Sequence, residues 1–372
     1  LITRTFMPVP KKNQLVGLDI GSHSIKLVEI DDSKKGMVLK SFGIVHLPKD
    51  TIVEGSIKEI EVAASAIKNL YKNLNVKNKN VATAISGFSV IVKKISITRR
   101  DDAALESSIQ EEAEQYIPFD ISDVNLDYEV LTSTDEIGGS FDEDEEGSGR
   151  DTDLMDVMLV AAKKDIIEEY ESLIHLAGLN PVVMDVDAFA LQNAFEASLS
   201  DVSGCYAIIN IGAEELGINA VKNGVSMFTR DSSYGGAQIT DAIASQFDVS
   251  YEEAEKIKLG GAELEDKDKQ ALEEIFTTMV SGWVQETSRA LDFLSTTYPE
   301  EKIEKIFVSG GACKIPDFIK YLEMETGIPV EELNPFGGLQ INEKIFDPKY
   351  LSDIAPQAGV AVGLALRSVG DK

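Results

Sequence analysis

Two glycine turns hold the residues of this chain best suited to gripping a phosphate. In the first, an apolar strand ends at Asp19-Ile20-Gly21 and runs on through Ser22, His23 and Ser24 to Lys26. The turn offers backbone N–H groups and hydroxyls. Lys26 offers an ammonium for a phosphate oxygen, and Asp19 a carboxylate that can organise a hydrated Mg²⁺. The second turn, Asn210-Ile211-Gly212-Ala213-Glu214, follows a similar strand about half the chain later. Glycine in a tight turn lets N–H groups converge without a Cβ in the way. Two such turns facing across a cleft make a clamp for a nucleotide polyphosphate. Their chemistry is unequal, because Asn210 is neutral where Asp19 is ionised. Glu214 and Glu215 add negative charge beside it. This departure predicts nucleotide binding with slow hydrolysis at most, and it names no catalytic residue.

The elements that must position these turns follow from hydrophobic periodicity. Residues 15–30 and 205–221 each read as strand, turn and strand, then a polar turn (31–36 and 222–224) and a further strand. A unit of this length repeated at half-chain distance predicts two lobes of one duplicated fold. A helix over 57–74 places Ile60, Ala63, Ala64, Ile67, Leu70 and Leu74 at helical spacing. Strands follow over 81–85 and 89–97, then a helix over 104–116 with Leu105, Ile109 and Tyr116 toward a core, ended by Pro118. The pattern continues with strand 157–162, helix 164–177, strand 182–186 and helix 188–199. Beyond the second turn come helices to 247, over 251–259 and over 269–298, a strand over 305–311, and helices over 315–326 and 357–367. Strands and helices alternate, so the class is α/β with two mixed sheets. Residues 135–153, rich in Asp, Glu and Gly, lack apolar periodicity and read as a solvated loop dispensable for folding.

Composition excludes several functions. The 372 residues are 43% hydrophobic, enough for more than one core, and the formal net charge is −29. Such an acidic chain is repelled by nucleic acid and by anionic lipid surfaces. Cys205 and Cys313 form no disulfide framework, which fits a reducing cytoplasm. His23, His46 and His175 lack zinc-ligand spacing. No apolar run approaches the ~20 residues that span a bilayer, and the N-terminus lacks a signal-peptide core.

Five segments in order resemble the actin-like ATPase superfamily: the two turns, Ala254-Glu255-Lys256-Ile257-Lys258, Ser309-Gly310-Gly311-Ala312, and the small-residue stretch 358–365. The resemblance implies that Glu255, Lys258, Gly310, Gly311 and Ala312 hold the adenosine. Within that superfamily the chain from about Gln14 to Arg367 resembles the PilM family, cytoplasmic actin-like components of type IV pilus assembly related to the cell-division protein FtsA. The distinctive stretches are 17–27, 111–121, 127–131 and 363–367. The resemblance implies ATP with Mg²⁺ as cofactors. It also implies docking of the cytoplasmic N-terminal tail of a PilN-like inner-membrane protein, contact with other pilus motor and platform proteins, and a place at the inner face of the bacterial inner membrane through that partner. It divides the chain into a first lobe (14–88), an FtsA-like inserted subdomain (89–180) carrying the acidic loop, a return to the first lobe (181–200), a second lobe (201–355) and a closing helix (356–372). The tail's groove falls on Ser89, Ile91, Ile95, Ile97, Tyr116 and Phe119, where an extended peptide could add to a strand edge. Two other readings stay open: a sugar-kinase-like phosphotransferase or ATPase, which an intact second aspartate would favour, and an FtsA-like filament former.

Overall fold

The computed structural model describes residues 13–34, 36–131, 154–199, 201–261 and 265–371. The solvated loop expected over 135–153 lies outside them. The chain divides into two compact units, Leu1–Gly87 with Glu168–Lys372, and Phe88–Ile167.

The larger unit opens with β1 (Val16–Ile20), β2 (Ser24–Ser33), β3 (Gly36–His46), the short pair β4 (Ile52–Val53) and β5 (Ser56–Ile57), α1 (Ile60–Leu74) and β6 (Asn80–Ile85). Every residue of β1 is buried, because the strand sits mid-sheet between antiparallel β2 and parallel β6. In α1 the apolar face buries Ala63, Ala64, Ile67, Leu70 and Tyr71, and the helix stops at Asn75 in the left-handed region, where Asn is tolerated.

The smaller unit contains β7 (Val90–Thr98), α2 (Asp102–Ala113), β8 (Val124–Leu131) and β9 (Leu154–Lys163). Its three strands pair antiparallel in the order β7-β9-β8. Ile95, Ile97, Leu105, Ile109, Ile117, Val157 and Leu159 form its core. Asp101 caps α2 by accepting from Ala104 N. The helix ends at Ala113, short of the expected 116, and the chain tightens through hydrogen bonds from Tyr116 N and Ile117 N to Ala113 O. Ile117 therefore enters the core, while Tyr116, expected there, is 39% exposed.

Next come α3 (Lys164–Leu176), β10 (Asn180–Val186) and α4 (Asp187–Ser198). Because β10 pairs with β6, residues 168–180, read from sequence as part of the insertion, belong to the larger unit. The repeat follows as β11 (Cys205–Ile211), β12 (Leu216–Lys222), β13 (Val225–Ser232), α5 (Gly236–Phe247), α6 (Tyr251–Lys258), α7 (Asp266–Thr297), β14 (Lys305–Ser309), α8 (Phe318–Thr326), β15 (Val330–Glu332), α9 (Pro348–Ile354) and α10 (Gly359–Ala365). The two five-stranded sheets, β10-β6-β1-β2-β3 and β15-β14-β11-β12-β13, are the same topology twice.

One apolar cluster joins them. Ala82, Ala84 and Val183 of the first sheet meet Ile208, Val221 and Phe307 of the second through Leu191 and Phe195 of α4 and Val360 and Leu364 of α10. Fully burying a side chain such as Phe195 stabilises by about 1.5–3 kcal/mol. The two helices cross at contact distance because residue 363 is glycine; a Cβ there would lie 1.6 Å from Ala190 O.

Candidate functional site

The first turn joins β1 to β2. Register pairs Asp19 with Lys26, and Lys26 Nζ lies 3.2 Å from Asp19 Oδ2. Gly21 N donates to Ser24 O at 3.2 Å, so this amide closes the hairpin. Ser22 and His23 form the loop itself, and Ser24 opens β2. His46 at the end of β3 is opposite Ser24, which brings its Nδ1 to 3.2 Å from His23 Nε2. No sequence spacing showed this pair, because it arises from strand register.

The second turn joins β11 to β12 in the same way, with Gly212 N donating to Glu215 O at 2.8 Å. Asn210 pairs with Gly217 across the hairpin and with Ser309 of β14. The loop carrying Gly235 and Gly236 lies directly against it: Gly236 N donates to Gly212 O and Ala237 N to Ala213 O. A Cβ on Gly235 would sit 2.3 Å from Ala213 O. Gly310, at φ +86, is similarly pressed onto β11, and a Cβ there would sit 2.2 Å from Ile211 O. Only glycine meets both demands.

Around this turn the expected adenosine residues assemble. Ala312 Cβ would lie 3.3 Å, and Lys258 Nζ 3.5 Å, from a Cβ on Gly236, and Gly311 faces Gln357. Ser250 caps α6 by accepting from Glu253 N, and one turn on, Lys258 Nζ meets Glu255 Oε2 at 2.7 Å. Thr240 Oγ1 donates to Glu255 at 2.6 Å and accepts from Lys258 at 2.9 Å. Burial would raise the Glu255 carboxyl, but Lys258 and Thr240 outweigh it and hold it below its ordinary value. Burial depresses the His23 imidazole more than Glu255 raises it, with His46, Lys258 and Lys26 adding to the fall. His23 on the first turn therefore feels Glu255 and Lys258 on the second lobe.

Between the turns lies a group of carboxylates that sequence reading largely missed. Asp187 opens α4 and is held well above the usual range by burial, with Asp19, Glu215 and Asp231 adding repulsion. Burial, with Asp231 next, pushes Glu215 up to about 7. Asp231 is likewise raised by burial, and so is Glu214. Asp187 and Asp231 lie far from both turns in sequence, so spacing gave no sign of them. Among the described residues, no three His, Cys, Asp or Glu side chains are gathered to ligate a metal ion directly.

On the smaller unit, Ile95 and Ile97 are each 4% exposed and committed to its core. Ile91 and Phe119 pack partly against that core, with Lys163 Nζ 4.5 Å from the Phe119 ring centroid. Ser89 is half-buried in the short helical turn before β7. Of the six residues expected to line a peptide groove, Tyr116 presents the most surface.

A duplicated sheet with paired glycine turns, bridged by two crossing helices, is the actin-like ATPase fold. Structures of that fold superpose on the chain: EutJ from Carboxydothermus hydrogenoformans at TM-score 0.54 and 15% identity, covering 97% of this chain and 92% of its own, and MreB 5 of Spiroplasma citri bound to AMPPNP at TM-score 0.50 and 14% identity, covering 93% and 99%. Within the fold, the chain belongs to the family described as Type IV pilus assembly protein PilM, whose profile matches residues 17–369. A chain of the solved PilM-PilN type IV pilus biogenesis complex superposes at TM-score 0.81 with 27% identity, over 95% of this chain and 98% of its own. The cell division protein FtsA of Bacillus subtilis (strain 168) is 22% identical over 386 residues, covering 94% of this chain and 82% of FtsA. No helix among the described residues is long and apolar enough to cross a membrane.

Proposed function

We propose that this protein is a nucleotide-binding scaffold of the type IV pilus inner-membrane platform. It holds ATP with Mg²⁺ between its two glycine turns and carries the cytoplasmic N-terminal tail of a PilN-like membrane protein on its smaller unit. The observation that supports the nucleotide reading is that Lys258 Nζ of α6 donates to Gly236 O at 3.2 Å and Gly236 N to Gly212 O at 3.0 Å, which joins α6 to the second turn. Ser22, His23, Ser24 and Lys26 hold phosphates from one side and Gly212 and Ala213 from the other; Glu255, Lys258 and Gly310–Ala312 take the adenosine. Asp19 and Glu214 add carboxyls from both turns beside the two lysines, so the site suits a polyphosphate neutralised by a divalent cation. Asp19 would hold the cation through water. What the cation supplies is charge neutralisation. Asn210, with Gly217 opposite, leaves the second turn without an acid–ammonium pair, which fits binding with weak turnover. The AMPPNP in the MreB 5 structure supports the ligand class.

For the partner, support comes from the complex in which the relative was solved. Two sheet edges of the smaller unit, β7 and β8, pair on one side only among the described residues, and an extended tail adds to such an edge through main-chain hydrogen bonds. Tyr116, Phe119, Ser89 and Ile91 supply its surface; Ile95 and Ile97 support them from the core. The net charge of −29 steers a tail carrying Lys or Arg. Isothermal titration with ATP–Mg²⁺, alone and with a PilN-type tail peptide, tests both halves. Two saturable isotherms are expected, the first weakened by Lys258→Ala and the second by Tyr116→Ala. A flat nucleotide isotherm for a folded protein would overturn the first half, and a flat peptide isotherm the second.

A further inference from the structure

The carboxylates of the second turn do more than line a ligand site. Glu214 Oε2 accepts from the backbone N–H of Glu54, beyond β4 in the first lobe, at 2.8 Å. Glu215 Oε2 accepts from Ser86 Oγ, at the end of β6, at 2.7 Å. Asp231 Oδ2, on β13, accepts from Gly87 N at 3.1 Å. Gly87 itself has φ +74, and a Cβ there would lie 2.9 Å from Glu215 Oε1, so the first lobe meets this carboxyl at contact distance. Every acceptor belongs to the second lobe and every donor to the first. In an ATP-binding reading these side chains merely add negative charge; in the structure they are what the first lobe's donors hold.

We propose that Glu214, Glu215 and Asp231 form a latch that holds the cleft shut through first-lobe donors, and that the latch weakens as Glu215 and Asp231 ionise. Ionised Glu215 faces Asp231 and Glu214 from its own lobe and Asp187 from α4, and Asp187 in turn feels Asp19 of β1. The phenol of Tyr170 on α3 lies in the same field. The cation in that field is Lys26, whose attraction is felt at Asp187. Opening lets water reach the carboxyls and separates Glu215 from Asp187, while Asp231 and Glu214 move with it, so the loss of burial is the main relief. The closed cleft thus binds protons that the open one releases, since burial lifts Glu215 to about 7 when closed. Closure is fully favoured below the ordinary carboxylate range, loses ground as pH rises through it, and levels off above about 7. Nothing in the latch requires a nucleotide, so its test is separate from that of the ATP site.

Distance measurement between spin labels at Lys68→Cys on α1 and Glu273→Cys on α7 reads closure in the nucleotide-free full chain. Both positions are exposed, whereas native Cys205 and Cys313 are buried and stay unlabelled. The wild type should show one short, narrow distance at pH 5.5 and a second, longer population at pH 8.5, the closed-to-open ratio falling roughly tenfold or more. Glu215→Gln keeps an acceptor for Ser86 and cannot ionise, so it should lose most of the lengthening that wild type shows at pH 8.5, with Asp231 left to titrate. Ser86→Ala should lengthen at both. A wild-type distribution unchanged with pH, or a Glu215→Gln variant that follows wild type, would overturn the latch. If Glu215→Gln does not fold, Ser86→Ala decides, and distances identical to wild type at both pH values overturn it.

Discussion

Gly21 N reaches Ser24 O in the first turn as Gly212 N reaches Glu215 O in the second, and each hairpin lies in a sheet of identical strand order. Position by position the side chains then part. Asp19 is matched by Asn210, Ser22 by Ala213 and Lys26 by Gly217. The first turn therefore keeps a carboxylate and an ammonium 3.2 Å apart, a pair able to meet cation and phosphate. In the second, Gly217 faces the carboxyl of Asp231, which would lie 3.0 Å from a Cβ there, and the acidic residues reach outward to the opposite lobe. Duplication preserved a backbone, which is a packing requirement. It left the side chains free to differ, with an acid–ammonium pair at one turn and lobe-crossing carboxyls at the other.

The largest effect should come from the glycine after β14 that presses on the second turn. Gly310→Val would drive a Cβ into Ile211 O and force a β-branched residue to positive φ, costing roughly 3–5 kcal/mol and visible as a fall in Tm. Gly21→Ala in the first turn, where the nearest atom is 3.3 Å from the new Cβ, should cost far less; equal losses would erase the asymmetry. Lys26→Ala comes next, removing a charge-assisted contact worth about 1.5–3 kcal/mol, so ATP–Mg²⁺ affinity should fall tenfold or more by titration. Asn210→Asp makes the second turn resemble the first and should raise phosphate release; turnover already brisk in wild type would contradict the division. A smaller change is expected from Asp187→Asn. Its carboxyl is raised in the folded chain, so its favourable contribution is full at low pH and lost as pH rises. The variant should gain Tm relative to wild type near pH 8 and not near pH 4. Ser22→Ala, which copies Ala213, should be the mildest, a two- to tenfold loss of affinity for about 0.5–1.5 kcal/mol.

Much of this was legible in the residues alone. The twofold repeat announced itself through period-2 strands around each Asx-Ile-Gly turn, and helix α1 through its apolar face, because both signals are local and depend only on backbone geometry. The Glu255–Lys258 pair follows from helical spacing, since residues three apart share a face. Boundaries slipped where two local forces compete: α2 stops at Ala113 because the next turn tightens, and burying Ile117 leaves Tyr116 to solvent. The His23–His46 contact, the approach of Asp187 and Asp231 to Glu215, and the hydrogen bonds from Glu54, Ser86 and Gly87 were invisible in sequence. Each joins residues distant in the chain whose meeting depends on strand register and on the helices α4 and α10 seating one sheet against the other. The sequence by itself determined which elements form and where the two glycine turns fall. Tertiary packing alone decided which charges share a cleft, because burial and proximity, not spacing, set how strongly carboxylates repel and what they hold.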